Sequence, residues 1–203
     1  MSSDLNSDDI KKYLPQFLSG GSQSELFSCL RDFPKNIDQR FYSDVVLSID
    51  SVVQGDGLSE LLFVEWKSLR FNKAPAIVLS NSCDISEENP RYTMPFACYC
   101  PIISFTKYLQ KLKDSGIDVN NLEKDIKAQR MTSMFYLPKG QNLVEDKIVL
   151  LDRVQSCPNS NEQKQNAKKL FSLSNYGFYL FLLKISIHFT RIRDGIDRIS
   201  IAT

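Results

Sequence analysis

The stretch that decides the fold is Ala74-Pro75-Ala76-Ile77-Val78-Leu79-Ser80-Asn81-Ser82-Cys83-Asp84-Ile85, residues 74–85. After the proline its apolar residues run on without alternation. That pattern predicts a strand over 75–81 covered on both faces. Its polar end, Asn81 to Asp84, has two readings. Barrel loops often hold function, so Asp84 is a candidate base and Ser82 a candidate phosphate donor. The same residues also suit a turn in which Asn81 and Asp84 bond the backbone.

Working outward, four more segments read as short strands: "LLFVEW" at 61–66, "TMPFACYCPIIS" at 93–104, "SMFYLP" at 133–138 and "DKIVLLDRVQS" at 146–156. In the second of these, Cys98 and Cys100 fall on one face, Ala97 and Tyr99 on the other. "SLRFNK" reads as a turn, which puts Lys73 in a loop, and "CDISEENPR" reads as a loop. Short strands joined by tight connections, without a βαβ rhythm, predict an α+β protein built on a small barrel.

Helices flank and interrupt these strands. "DDIKKYLPQFL" at 8–18 and "SELFSCLRDF" at 24–33 read as N-terminal helices. An insertion at 107–130 reads as two helices broken at Ser115-Gly116. From 161 the chain reads as helical, polar at first and almost wholly apolar after Ser174-Asn175. The apolar part must pack on the barrel or on another chain. The expected division is therefore 1–50, 51–157 with the insertion, and 158–203.

Bulk composition is that of an ordinary globular protein. Of 203 residues, 42% are hydrophobic and 24% charged, and the formal net charge is +1. A basic protein that coats nucleic acid is excluded. The charge is unevenly spread, from net −3 over residues 1–50 to net +4 over 161–203. The tail could face phosphate or be a solvated face. Five irregularly spaced cysteines and one histidine, His188, offer no zinc pattern, so neither metal nor cofactor is expected. Cys83 lacks a base nearby and reads as a small packing residue. The polar start "MSSDLNSDDI" and the absence of a long apolar run predict a cytoplasmic protein with no membrane segment.

The order of the strands carries a resemblance. "QGD" at 54–56 precedes "LLFVEW", followed by "APAIVLSN", "CYCPIIS", "FYLP" and "DKIVLLDRVQS". Over residues 53–157 this resembles the PemK/MazF family of toxins, which are SH3-like barrels. The resemblance implies metal-independent cleavage of single-stranded RNA by attack of the ribose 2′-OH, leaving a cyclic phosphate. The family places an Arg before the proline and a Thr or Ser on a later strand. Here Ala74 precedes Pro75, and Lys73 is the nearest cation. Ser104 takes the Thr/Ser position, with Thr106 beside it. With Asp84 from the polar strand end, the expected catalytic set is Ser104, Lys73 and Asp84. Arg70, Asn81, Ser82, Thr106 and Trp66 are the implied substrate contacts, with Trp66 stacking on a base. The other reading is a barrel without cleavage that binds nucleic acid or a protein partner in a toxin–antitoxin or phage-defence system. Implied partners are single-stranded RNA and an antitoxin, a complex subunit or a second copy.

Overall fold

Pro75 divides the central strand into a half paired with a neighbour on one side and a half paired on both. The structure, a computed structural model, describes residues 21, 24, 28–29, 32–44, 52–86, 89, 92–160 and 167–190. The helix expected at 8–18, and most of that expected at 24–33, lie outside the described residues. The protein is α+β, with one seven-stranded antiparallel sheet. The strands are β1 (Gly57–Glu65), β2 (Arg70–Val78), β3 (Phe96–Ser104), β4 (Met134–Leu137), β5 (Lys147–Leu150), β6 (Gln155–Pro158) and β7 (Lys169–Phe171). Their order is β4-β5-β3-β2-β1-β7, and β6 also pairs with β3. The helices are α1 (Ser82–Ile85), α2 (Phe105–Asp114), α3 (Asn120–Lys127) and α4 (Asn175–Thr190).

The central strand is buried on both faces, as its lack of alternation requires: Ala76, Ile77 and Val78 are almost inaccessible. Ile77 joins Cys100, Ile102, Phe135 and Val149 under a lid made of Phe41, Tyr176, Leu180 and Phe181. Ala76 and Val78 point the other way, to Leu58, Leu61, Tyr99 and Cys157. Further along that second face, Ile148 and Leu150 are covered by α2 and α3 through Phe105, Leu109, Val119 and Ile126. The expected split of β3 holds, with Cys100 in the first cluster and Tyr99 and Ala97 in the second.

A five-residue excursion that includes a turn separates β5 from β6. Between the pairs Ile102↔Val149 and Tyr99↔Gln155, residues Cys100–Pro101 of β3 face Leu150–Val154. The extra residues turn β6 away from β5 and curl it toward β1. There the Gln155 side-chain amide accepts from the Val64 N–H at 2.8 Å and donates to the Val64 carbonyl at 2.9 Å. Inside the curl the Tyr99 hydroxyl donates to the Leu62 carbonyl, and its ring meets Phe63 edge-on at 5.1 Å.

Amide side chains finish the other strand edges in the same way. Gln129 bonds both the N–H and the carbonyl of Tyr136 on β4, at 3.1 and 2.7 Å. Asn142 donates to the Lys169 carbonyl on β7 at 3.4 Å, and Gln141 accepts from the Ser172 N–H at 3.2 Å. Each of these bonds occupies backbone groups that an added strand would use.

Two expectations are corrected. The chain is not helical throughout from 161, because Lys169–Phe171 forms β7 against Gly57 and Leu58. The reason is a buried ion pair: Lys169 Nζ lies 2.8 Å from Asp56 Oδ2. The segment 82–85, expected as loop, is one helical turn capped by Asn81. The insertion is two helices as expected, though α2 begins at Phe105.

α4 docks by one stripe. A Cβ on Gly177 would sit 2.3 Å from the Phe41 carbonyl oxygen, so glycine allows the close approach. Lys184, on the same stripe, is 5% exposed and donates to the carbonyls of Gln129 and Met131, both at 2.5 Å. Burial pushes its amine down to about 7. Among the described residues no helix is long and apolar enough to cross a membrane.

Candidate functional site

β2 and β3 are antiparallel, so the start of β2 and the end of β3 lie at one end of the sheet. Their pairing runs only from Val78↔Tyr99 to Ala76↔Pro101. Pro75 has no N–H with which to continue the ladder. Continued three residues further, the same register sets Lys73 level with Ser104. On their outer sides Lys73 pairs with Leu62, and Ser104 pairs with Lys147. Lys73 is therefore a strand residue rather than a loop residue, because β2 begins at Arg70 and the turn is confined to Trp66–Leu69.

Ser104 ends β3 and caps α2. Its hydroxyl accepts from the Lys107 N–H at 3.3 Å and donates to Glu145 Oε2 at 3.1 Å. The other oxygen of Glu145 receives Lys147 Nζ at 2.6 Å. The Lys147 bond first, then the Ser104 bond, holds the Glu145 carboxyl below its ordinary range, and the Lys107 charge adds to this. The site end therefore carries a hydroxyl, an ionised carboxylate and the cations Lys73, Lys107 and Lys147. Lys73 faces Glu60 at 3.8 Å. Thr106 is exposed in the first turn of α2, and Trp66 and Arg70 lie at the hairpin end.

Asn81, Ser82 and Asp84 follow the opposite end of β2. The eight residues from Lys73 to Asn81 span about 25 Å of extended chain. The structure therefore splits the expected set: Lys73, Ser104, Thr106, Arg70 and Trp66 share one end, and Asp84, Ser82 and Asn81 share the other. The second group has local duties. Asn81 Oδ1 accepts from the Cys83 N–H at 2.9 Å, and the Asp84 N–H donates to the Asn81 carbonyl at 2.9 Å. Ser82 Oγ accepts from the Gln54 N–H at 3.0 Å. Gln54 in turn donates to the Leu79 carbonyl at 2.6 Å.

Glu145 and Lys147 escaped the sequence reading. Their signal was the alternation in "VEDKIV", which puts Glu145 and Lys147 on one side and Asp146 on the other. Asp146 takes a different role. Its carboxylate accepts from the Tyr136 hydroxyl at 2.7 Å and the Lys139 N–H at 2.9 Å. It backs an open groove of about 520 Å³ between Ile37–Arg40 and Pro138–Lys139. The groove's Arg40 is held by Asp38 at 2.7 Å.

Among the described residues no group of three His, Cys, Asp or Glu side chains could hold a metal ion. Burial pushes the Cys100 thiol up to about 12 and raises that of Cys157, so neither is a nucleophile near neutral pH. His188 packs edge-on to Phe189 at 4.8 Å on α4. No protein-family model matches the sequence, and no curated protein matches it.

Proposed function

We propose that this protein is a divergent PemK/MazF-like barrel that acts on single-stranded RNA at the Lys73–Ser104 end of its sheet. The observation that carries the reading is the Ser104–Glu145–Lys147 cluster, set at the end of the sheet where β2 begins. A curled sheet closed between β1 and β6 by Gln155 supports an SH3-like barrel. In this reading Lys73 and Lys107 hold the phosphate, and the Ser104 hydroxyl contacts the crowded phosphorus centre. Glu145 takes the 2′ proton as the 2′ oxygen attacks phosphorus, the bond to the 5′ oxygen breaks, and solvent protonates that leaving oxygen. Neither metal nor cofactor takes part. Incubation of purified protein with mixed RNA in EDTA tests the reading. New ends carrying a cyclic phosphate, lost with Ser104→Ala and reduced with Lys73→Ala, are the expected result. An absence of such ends at high protein concentration removes the enzyme reading.

A second reading has its own observation. Ser104 is already bonded to Glu145 and to the α2 N-terminus, and Lys73 already faces Glu60. Groups engaged in this way suit a module that binds RNA or a protein partner without cutting. That reading expects retention of labelled RNA by the intact chain, weakened by Lys73→Ala, with no new ends.

A further inference from the structure

The groove backed by Asp146 has a fixed shape and no part in the Ser104 cluster. Asp146 lies between Glu145 and Lys147 in the chain, and strand alternation sends its side chain to the other side. The groove, of about 520 Å³, has the size of a small-ligand site. One wall is Ile37–Arg40 and the other is Pro138–Lys139. Tyr42, two residues past Arg40, ties the walls together, because its hydroxyl donates to the Pro138 carbonyl at 2.5 Å. A Cβ on Gly140 would sit 2.8 Å from the Tyr42 ring, so glycine lets the two segments meet.

Arg40 presents a plane to this groove. Its Nε donates to Asp38 Oδ1 at 2.9 Å and its Nη2 to Asp38 Oδ2 at 2.7 Å. The Arg40 backbone N–H also reaches Asp38 Oδ1, at 3.0 Å. That edge of the guanidinium fork is spent on a carboxylate, which leaves its flat face. Asp146 presents a pair of acceptors. One of its oxygens takes the Tyr136 hydroxyl and the other the Lys139 N–H. Each carboxylate oxygen keeps a second lone pair. The lining holds two cations, Arg40 and Lys139, and two carboxylates, Asp38 and Asp146, so its charge sums to zero.

We propose that this groove is a binding site for a guanine base. The balance of charge calls for a neutral group, and the guanidinium face and Pro138 call for a flat one. Asp146 calls for two adjacent donors, one for each oxygen. Guanine carries that pair, N1–H and the N2 amino group, on its Watson–Crick edge. Adenine and cytosine set a donor beside an acceptor, and uracil sets its donor between two acceptors. Stacking on a guanidinium plane and bonding along the Watson–Crick edge are how unpaired bases are held. The side chain of an arginine offers the same two donors, but it sets a further positive charge against Arg40 and Lys139. Lys139, exposed at the rim, meets the nucleotide's phosphate. The base arrives on a free nucleotide or within an RNA strand, and the site stands whether or not the Ser104 end cuts RNA.

The test titrates the intact, isotope-labelled chain with guanosine, inosine and adenosine 5′-monophosphates and follows amide resonances by NMR. The guanosine nucleotide should shift the amides of Arg40, Lys139 and Gly140. Inosine lacks the N2 amino group and should bind about tenfold more weakly, by the loss of one bond to a carboxylate. Adenosine should bind more weakly still. Asp146→Asn turns one acceptor into a donor and should transfer the preference to adenosine. Arg40→Ala leaves Asp146 in place and should weaken all three nucleotides together, which keeps the proposal testable if Asp146→Asn does not fold. Equal affinity for the three nucleotides overturns the proposal. So do an absence of shifts at millimolar nucleotide, and tighter binding of arginine amide than of the guanosine nucleotide. Given guanosine binding, a UGU trinucleotide that binds more tightly than the mononucleotide identifies RNA as the source of the base, and equal binding identifies a free nucleotide. RNA cleavage lost with Ser104→Ala, from a chain that ignores all three nucleotides, removes the base site and leaves the enzyme reading in place.

Discussion

The Asp56–Lys169 pair gives the sharpest test of how the sheet is held together. Both side chains are buried, and their charged atoms lie 2.8 Å apart. Asp56 Oδ2 also accepts from the Val53 N–H at 2.9 Å, whereas among the described residues Oδ1 has no hydrogen-bond partner. Lys169→Met keeps the stem of the side chain and removes its charge. It strands a carboxylate in a dry site, at a cost of about 3–5 kcal/mol. Melting should fall by roughly 10 °C for a chain of this size. Asp56→Asn/Lys169→Met removes both charges and should recover most of the loss, because a neutral pair carries no large desolvation term. The assay is urea unfolding followed by far-UV circular dichroism on the four members of the cycle. If Lys169→Met stays within about 1 kcal/mol of the parent, the pair is not desolvated and the reasoning fails. A double variant as unstable as the single one refutes it equally, by showing that β7 needs the lysine for something other than charge.

Three further outcomes follow from the same packing. Lys184 has a folded pKa near 7, below its ordinary 10.5. The unfolded chain therefore binds the extra proton between those values, and stability should rise by a few kcal/mol, in order of magnitude, as pH goes from about 7 to 10. Below pH 7 this contribution is flat, and Lys184→Met should erase the slope in urea midpoints measured at pH 6.5 and 9.5. An unchanged slope would show that Lys184 is not the titrating group. Gln155→Ala removes both bonds to Val64 and should cost about 1–3 kcal/mol. Amide exchange at Val64 should accelerate accordingly, and an unaltered exchange rate would mean that the curl is held elsewhere. Gly177→Ala gains about 1 kcal/mol of helix propensity but places a methyl against the Phe41 carbonyl. Net destabilisation in thermal melts is expected, and net stabilisation would show that α4 can shift.

Local signals were legible where one element carried its own pattern. The unbroken apolar run at Ala76–Leu79 announced a doubly covered strand. Alternation placed Cys100 and Tyr99 on opposite faces of β3. Ser115-Gly116 broke the insertion where α2 ends. The failures share a cause. Lys169–Phe171 looked helical because its neighbours are polar and lysine-rich, and only Asp56, more than a hundred residues earlier, makes it a strand. Lys73 looked like loop because β2 continues past Pro75 with polar residues, which is tolerable where no second strand pairs.

The sequence by itself determined the central strands, the burial of β2 and the two insertion helices, but not β7 or the break between β5 and β6, because period and propensity act over a few residues. It also placed Ser104 at the end of the β3 strand. Only the tertiary structure decided which candidates stand together. The antiparallel β2–β3 pairing put Lys73 and Ser104 at one end of the sheet and Asp84 at the other, and the β3–β5 register brought Glu145 and Lys147 to the hydroxyl. It likewise decided which edges close, since Gln155 and Val64 lie 91 residues apart and meet only when the turn between β5 and β6 curls the sheet. Such pairings are made by long-range packing, and no local window of the chain contains both partners.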